Sequence, residues 1–164
     1  MGDLSAHFDS AEFACSCCGK TVRMSDLLIQ RLEKLYNLMQ AKAVFINSGY
    51  RCLNNPYGIA TDAHRRCIAA DIKVQKQDGT FYSGEEIAEA AELVGFGGIG
   101  IMEPISCHVD TRDKEPYTNS FWHGNETTQE DFPEGHTFVK GRFEHKHTIT
   151  IMIDDNIIYS GGIL

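Results

Sequence analysis

Residues 62–72 read DAHRRCIAADI. His64 and Asp71 stand seven positions apart, and small or apolar residues surround the aspartate. A chain seldom places an acid inside an apolar run without giving its charge a partner. The run IAADIKV, 68–74, reads as a buried strand. His64 lies in the loop before it. The pair is either part of a metal site or a loop histidine that happens to precede a strand aspartate.

The flanking segments supply the rest of a sheet. KAVFINSGYRC, 42–52, holds a strand over about 43–47 and a polar turn, SGYR, that leads into the Asn/Pro/Gly-rich loop CLNNPYGIATDAH. SDLLIQRLEKLYNLMQ, 25–40, is the clearest helix. Ser25 stands at its cap position, and Leu28, Leu32, Leu35 and Met39 recur at helical spacing. DSAEFA, 9–14, predicts a short capped turn. DGTFYS, 78–83, predicts a turn and a short strand. SGEEIAEAAELVG, 83–95, has the Ser83/Glu86 capping box and a closing glycine. GFGGIGIM and CHVDTR read as two more strands. The glycine run lacks the helix start and lysine of a phosphate loop. NETTQEDFPEG, 125–135, reads as polar linker, and HTITIMIDDNIIYSGG, 147–162, as two strands around an Asp-Asp turn.

The chain of 164 residues suggests one domain, with a net charge of −8 and a pI near 5.3. Bulk charge makes nucleic acid and anionic membrane poor partners. No run approaches the roughly 20 apolar residues of a membrane span. The N-terminus has neither the basic region nor the apolar core of a signal peptide. A monomer is expected.

Six cysteines occur. Cys15, Cys17 and Cys18 are too close in sequence to pair readily with one another. A tether from this cluster to Cys52, as a disulfide or a structural zinc site, competes with small buried thiols.

His64, Asp71 and His108 together form a borderline-hard ligand set suited to Zn²⁺. Three protein ligands leave a fourth position open, as in catalytic rather than structural zinc sites. His108 and Asp110 alternate along a strand and therefore share a face.

The order SGYR, His64-x6-Asp71, GFGGIGI and His108-Val-Asp-x-Arg resembles the zinc peptidases of the M15 family. That family includes D-Ala-D-Ala carboxypeptidases, dipeptidases of the vancomycin-resistance type and phage L-alanyl-D-glutamate endolysins. LSAHFDSAEFACSCCGK and VFINSGYRC are similar to its single-domain members. The resemblance spans about residues 3–124 and leaves the tail, 125–164, uncovered. It implies an α+β fold with a central antiparallel sheet and flanking helices. To this we add a C-terminal β-hairpin extension, 125–164, packing on the 1–124 domain. It also implies Zn²⁺ on His64, Asp71 and His108, with peptidoglycan stem peptides as substrate. Arg51 matches the arginine that holds a substrate carboxylate, a role suited to a planar guanidinium fork. The implied reaction is metal-assisted hydrolysis with a carboxylate as proton carrier.

Several positions depart from the family pattern. The acid usual three residues before the last ligand is replaced by Ile105, and Glu103 is the nearest alternative base. Asp62 stands where a serine is usual and Cys67 where a glycine is usual. Asp62 is a substitute base, a substrate or ligand partner, or a turn residue. Cys67 predicts a shifted backbone, and with Cys107 either a disulfide or two separate small hydrophobes. Trp122, with His123 beside it, either stacks on substrate or packs in the core. His145 and His147 alternate without an evident third ligand.

The leading expectation is a zinc peptidase, in carboxypeptidase or endopeptidase mode. It is cytoplasmic until released and acts at the cell wall, of bacterial or phage origin. The alternatives are a zinc-containing cell-wall peptide-binding module with weak catalysis, favoured by Ile105, and a structural component of a phage particle.

Overall fold

A computed structural model describes residues 2–58, 61–102, 104–113, 120–124, 129–133, 135–141, 143, 148–153 and 156–162. A 3₁₀ turn, Ser10–Phe13, opens the chain, with the Asp9 N–H donating to Glu12 Oε1 at 2.7 Å. Helix α1, Asp26–Leu38, buries Leu28, Ile29, Leu32, Leu35 and Leu38 along one stripe. Ser25 holds the cap position, but its side chain makes no capping bond. Instead its N–H donates to the Cys67 carbonyl at 2.9 Å. Helix α2, Gly84–Val94, is capped reciprocally by Ser83 and Glu86 and ends at Gly95 in the left-handed conformation, φ 90°.

Six strands form one sheet: β1 (Ala43–Ser48), β2 (Ala69–Gln75), β3 (Gly98–Met102), β4 (Ser106–Asp110), β5 (Ser120–His123) and β6 (Glu130–Asp131). Their order is β1-β2-β4-β3-β5-β6. The expected antiparallel sheet needs correction. β5 runs parallel to β3, whereas the other pairs are antiparallel. The physical reason is the long link 111–119, which lets the chain pass β3 instead of folding straight back on β4. The segment read as linker also differs. Its Glu130 and Asp131 pair with β5, because an edge strand needs only a few residues and no apolar face. Phe81 makes one bridge to Gln75 in place of a strand.

The strands divide their residues by period two. Ala70, Ile72, Val74, Ile99, Ile101, Cys107 and Val109 join the core formed with α1 and α2. Phe138 and Phe143 also enter this core. The backbone of residues 138–140 is tied to α2. Glu92 Oε2 accepts from the N–H groups of Phe138 (2.6 Å) and Val139 (2.8 Å), and Glu89 Oε1 from that of Lys140 (2.8 Å).

Strands β7 (Thr148–Ile153) and β8 (Asn156–Gly162) pair antiparallel in a sheet of their own. Their side chains and the link between them lie outside the described residues. The hairpin as an appendix docked on the domain therefore stays a proposal.

Candidate metal centre in the sheet cleft

The antiparallel register places Asp71 opposite His108, and Gly100 beside His108 on its other flank. Ser48 pairs with Asp71, Trp122 with Gly100, and Asp131 with Trp122. One row, Ser48–Asp71–His108–Gly100–Trp122–Asp131, thus crosses all six strands on the face away from the helices. His64 reaches the row from the loop before β2.

The three expected ligands meet. His64 Nε2 lies 3.1 Å from His108 Nδ1 and 3.3 Å from Asp71 Oδ1, and His108 Nδ1 lies 2.9 Å from Asp71 Oδ1. All three residues are buried. Their outward atoms are occupied. His64 Nδ1 faces the Gly49 carbonyl at 2.7 Å, which can only accept, so this nitrogen carries the proton. His108 Nε2 faces Asp110 Oδ2 at 3.2 Å, which fixes the other tautomer in the same way. Arg51 donates to Asp71 Oδ2 at 2.7 Å. With both histidines in these neutral tautomers, two imidazole lone pairs and one carboxylate oxygen are aimed at one another.

Such a set calls for a cation. Its N,N,O chemistry fits Zn²⁺, and the partners behind each ligand are those that orient metal-bound histidines and carboxylates. In the metal-free protein a proton serves instead. Burial disfavours charge on His108, but its bonds to Asp110 and Asp71 outweigh that and raise its pKa to about 9. Burial alone would raise Asp71 as well, yet its bonds to His108 and His64 hold it well below the usual carboxylate range.

A cleft of about 380 Å³ opens on this centre, lined among others by Arg51, Tyr57, Asp62, Arg112, Trp122 and Asp131. Arg51 is deeply committed. Besides Asp71 it donates to Ser48 Oγ (3.1 Å) and the Tyr57 carbonyl (3.2 Å), and it approaches Asp62 Oδ2 at 3.5 Å. Asp62 also accepts the His64 N–H through Oδ1 at 2.9 Å, so it is both a turn residue and part of the cleft wall. Trp122 is 9% exposed. Its ring centre lies 5.0 Å from that of His108, and the Arg112 guanidinium covers it at 5.5 Å. Arg112 in turn grips Asp110 through Nε at 2.9 Å. Arg112, Asp110 and His108 thus form one chain of contacts beside the candidate metal centre.

The glycines of GFGGIG gain a reason here. A Cβ on Gly100 would overlap the Trp122 indole, and one on Gly98 would overlap the Asp110 carboxylate. β3 is bare on the cleft face so that larger groups from β4 and β5 can cover it. The alternation Gly98-Ile99-Gly100-Ile101 carried this signal, as did the spacing of two from His108 through Asp110 to Arg112. The Gly49 carbonyl and Ser48 had no signal beyond the turn that contains them.

Cys67 stands where a glycine is usual in the family pattern. It holds φ 60°, the left-handed conformation in which glycine is unstrained. Its N–H donates to the His64 carbonyl at 3.1 Å, closing the turn that aims His64. Cys67 and Cys107 are free thiols rather than a disulfide, and Cys107 is buried on the core face. Glu103 lies outside the described residues, as do His145 and His147, although Met102 just before Glu103 lines the cleft.

A family model described as Peptidase M15 matches residues 6–110, well over half of the chain. The chain belongs to the M15 peptidase family. The match takes in Arg51, Asp62 and the three candidate ligands, and it ends at Asp110. No curated protein and no solved structure matches this M15 chain.

Proposed function

We propose that this M15 family member is a zinc-dependent hydrolase of peptide bonds in the stem peptides of bacterial peptidoglycan. One observation carries the reading. His64 Nε2, Asp71 Oδ1 and His108 Nδ1 converge, each held from behind, in a cleft of about 380 Å³. When bound, zinc supplies Lewis acidity, lowering the pKa of a water and polarising a carbonyl.

The chain's own residues supply the rest. Arg51 fixes the Asp71 carboxylate, and its place in the cleft wall suits a substrate carboxylate as well. Arg112 brings a second guanidinium to the same cleft, and stem peptides end in carboxylates. Trp122 offers an apolar wall on the β5 side. Asp62 bounds the cleft on the loop side, where it contacts substrate or steadies Arg51. Glu103 is our choice for the group that takes the proton from water and passes it to the leaving amine. We place the action at the cell wall, with the protein cytoplasmic until released. A monomer suffices, and neither nucleic acid nor membrane takes part. The 125–164 extension is proposed to dock on the 1–124 domain.

The zinc-loaded protein, incubated with purified stem peptides, should yield new fragments by mass spectrometry. Chelation should abolish them and zinc should restore them. Loss of a terminal D-alanine would identify the carboxypeptidase mode, and cleavage after L-alanine the endopeptidase mode. Glu103→Gln should keep zinc and lose cleavage by roughly 10²–10⁴-fold. Ile105 in the usual acid position favours the second reading, a peptide-binding module. Zinc-loaded protein that binds stem peptides and cleaves none would establish it.

A further inference from the structure

The N-terminal segment holds a second donor cluster. The sulfurs of Cys15, Cys18 and Cys52 lie within 4.8 Å of one another. All three are free thiols. Cys15 and Cys18 stand on a tight loop. The Cys15 N–H donates to the Lys20 carbonyl at 3.0 Å, and the Gly19 N–H to the Cys15 carbonyl at 2.7 Å. Gly19 turns the chain at φ 69°. Cys52 comes from the loop after Arg51, 37 residues on from Cys15. Cys15 is 1% exposed and yet surrounded by donors. Its sulfur accepts the Cys52 N–H at 3.3 Å and the Asn55 side-chain amide at 3.6 Å. The N–H groups of Cys17 and Cys18 also face it.

We propose that Cys15, Cys18 and Cys52 bind a structural Zn²⁺ as thiolates, pinning the N-terminal loop to the turn that carries Arg51. Backbone N–H groups aimed at a sulfur favour its thiolate over its thiol. Burial pushes the Cys15 thiol up, but these donors outweigh it and lower its pKa to about 6. Thiolates sharing one tetrahedral zinc stand about 3.8 Å apart, for bonds of about 2.3 Å. The observed 4.8 Å limit encloses that spacing. Soft sulfur ligands select zinc over the hard cations. Cys17 stands beside Cys52 but outside this three-sulfur group, its thiol donating to the Asn54 carbonyl at 3.7 Å.

The site has a purpose in the fold. The turn it anchors holds Gly49, whose carbonyl orients His64, and Arg51, which orients Asp71. This turn and the 3₁₀ segment are also tied backbone to backbone, from the Tyr50 N–H to the Phe13 carbonyl at 2.9 Å. A metal here would stiffen two of the three supports of the cleft ligands without touching substrate.

The test is metal counting on the reduced full-length protein, with a spectrum as a second readout. Wild type should hold two zinc ions per chain. His64→Ala should hold one, and Cys15→Ser/Cys18→Ser should also hold one. Cobalt-substituted wild type and His64→Ala should both show strong thiolate-to-cobalt charge-transfer absorption, so the result does not depend on the cysteine variant folding. Loss of all metal in His64→Ala would overturn the proposal. So would a cobalt form without thiolate absorption, or recovery of these cysteines as a disulfide. The cleft reading fails separately, by equal zinc content in His64→Ala and wild type.

Discussion

The cleft cluster and the cysteine cluster each draw three donor atoms within 4.8 Å, yet they are surrounded in opposite ways. Behind the cleft ligands stand a carbonyl, a carboxylate and a guanidinium, each matched to one outward atom. Behind Cys15 stand N–H donors, which favour negative charge on the ligand itself. The cleft ligands are buried on strands or a turn braced by strands, and they face an open space. Cys18 is exposed, and its loop joins segments distant in sequence. In the two proposals, outer partners distinguish a centre that keeps a place for substrate from one that fastens the chain.

Removing a support should separate the two clusters. The largest effect is expected at Arg51, buried with Asp71 at 2.7 Å. Arg51→Ala leaves the Asp71 charge buried and without that partner, and should destabilise the metal-free protein by about 3–5 kcal/mol in denaturant unfolding. Unchanged stability would show that Asp71 is not held by this pair.

Asp110→Ala comes next. It removes the acceptor that sets the His108 tautomer and should weaken cleft zinc by roughly 10–100-fold. Competition with a chromophoric chelator measures this, and the thiolate absorption of the cobalt form should not move. A parallel loss at both clusters would erase the distinction drawn between them.

Gly100→Ala should cost about 1–3 kcal/mol and displace the indole, because the new methyl overlaps Trp122. Trp122 is the single tryptophan, so its emission reports the shift directly. An unmoved spectrum with native stability would mean that the row has room to spare.

The smallest effect is expected at Cys67. Cys67→Gly relieves the left-handed strain but loosens the unfolded chain, leaving a net gain of at most about 1 kcal/mol. A clear loss of stability would show that the side chain packs usefully despite its φ.

Much of this site was legible before the structure. His64, Asp71 and His108 are recognisable because ligand chemistry restricts residue type and the order of segments restricts where they fall. Helices α1 and α2 carry their own periodicity and capping. The row from Ser48 to Asp131 was not legible, because it depends on strand register, which no single segment contains. β5 escaped for a related reason, since its parallel place beside β3 follows from a long link rather than from a local turn signal. Gly98 and Gly100 were read for what they lack as a phosphate loop. Their function is the space that they leave for groups on other strands.

The central claim is that His64 Nε2, Asp71 Oδ1 and His108 Nδ1 bind one zinc ion at the floor of the cleft. Anomalous diffraction at the zinc edge from crystals of the zinc-loaded protein tests it most directly. The account predicts a peak among those three atoms, at about 2.0–2.2 Å from each. No peak there, or zinc bound through His108 Nε2 on the Asp110 side, would contradict it.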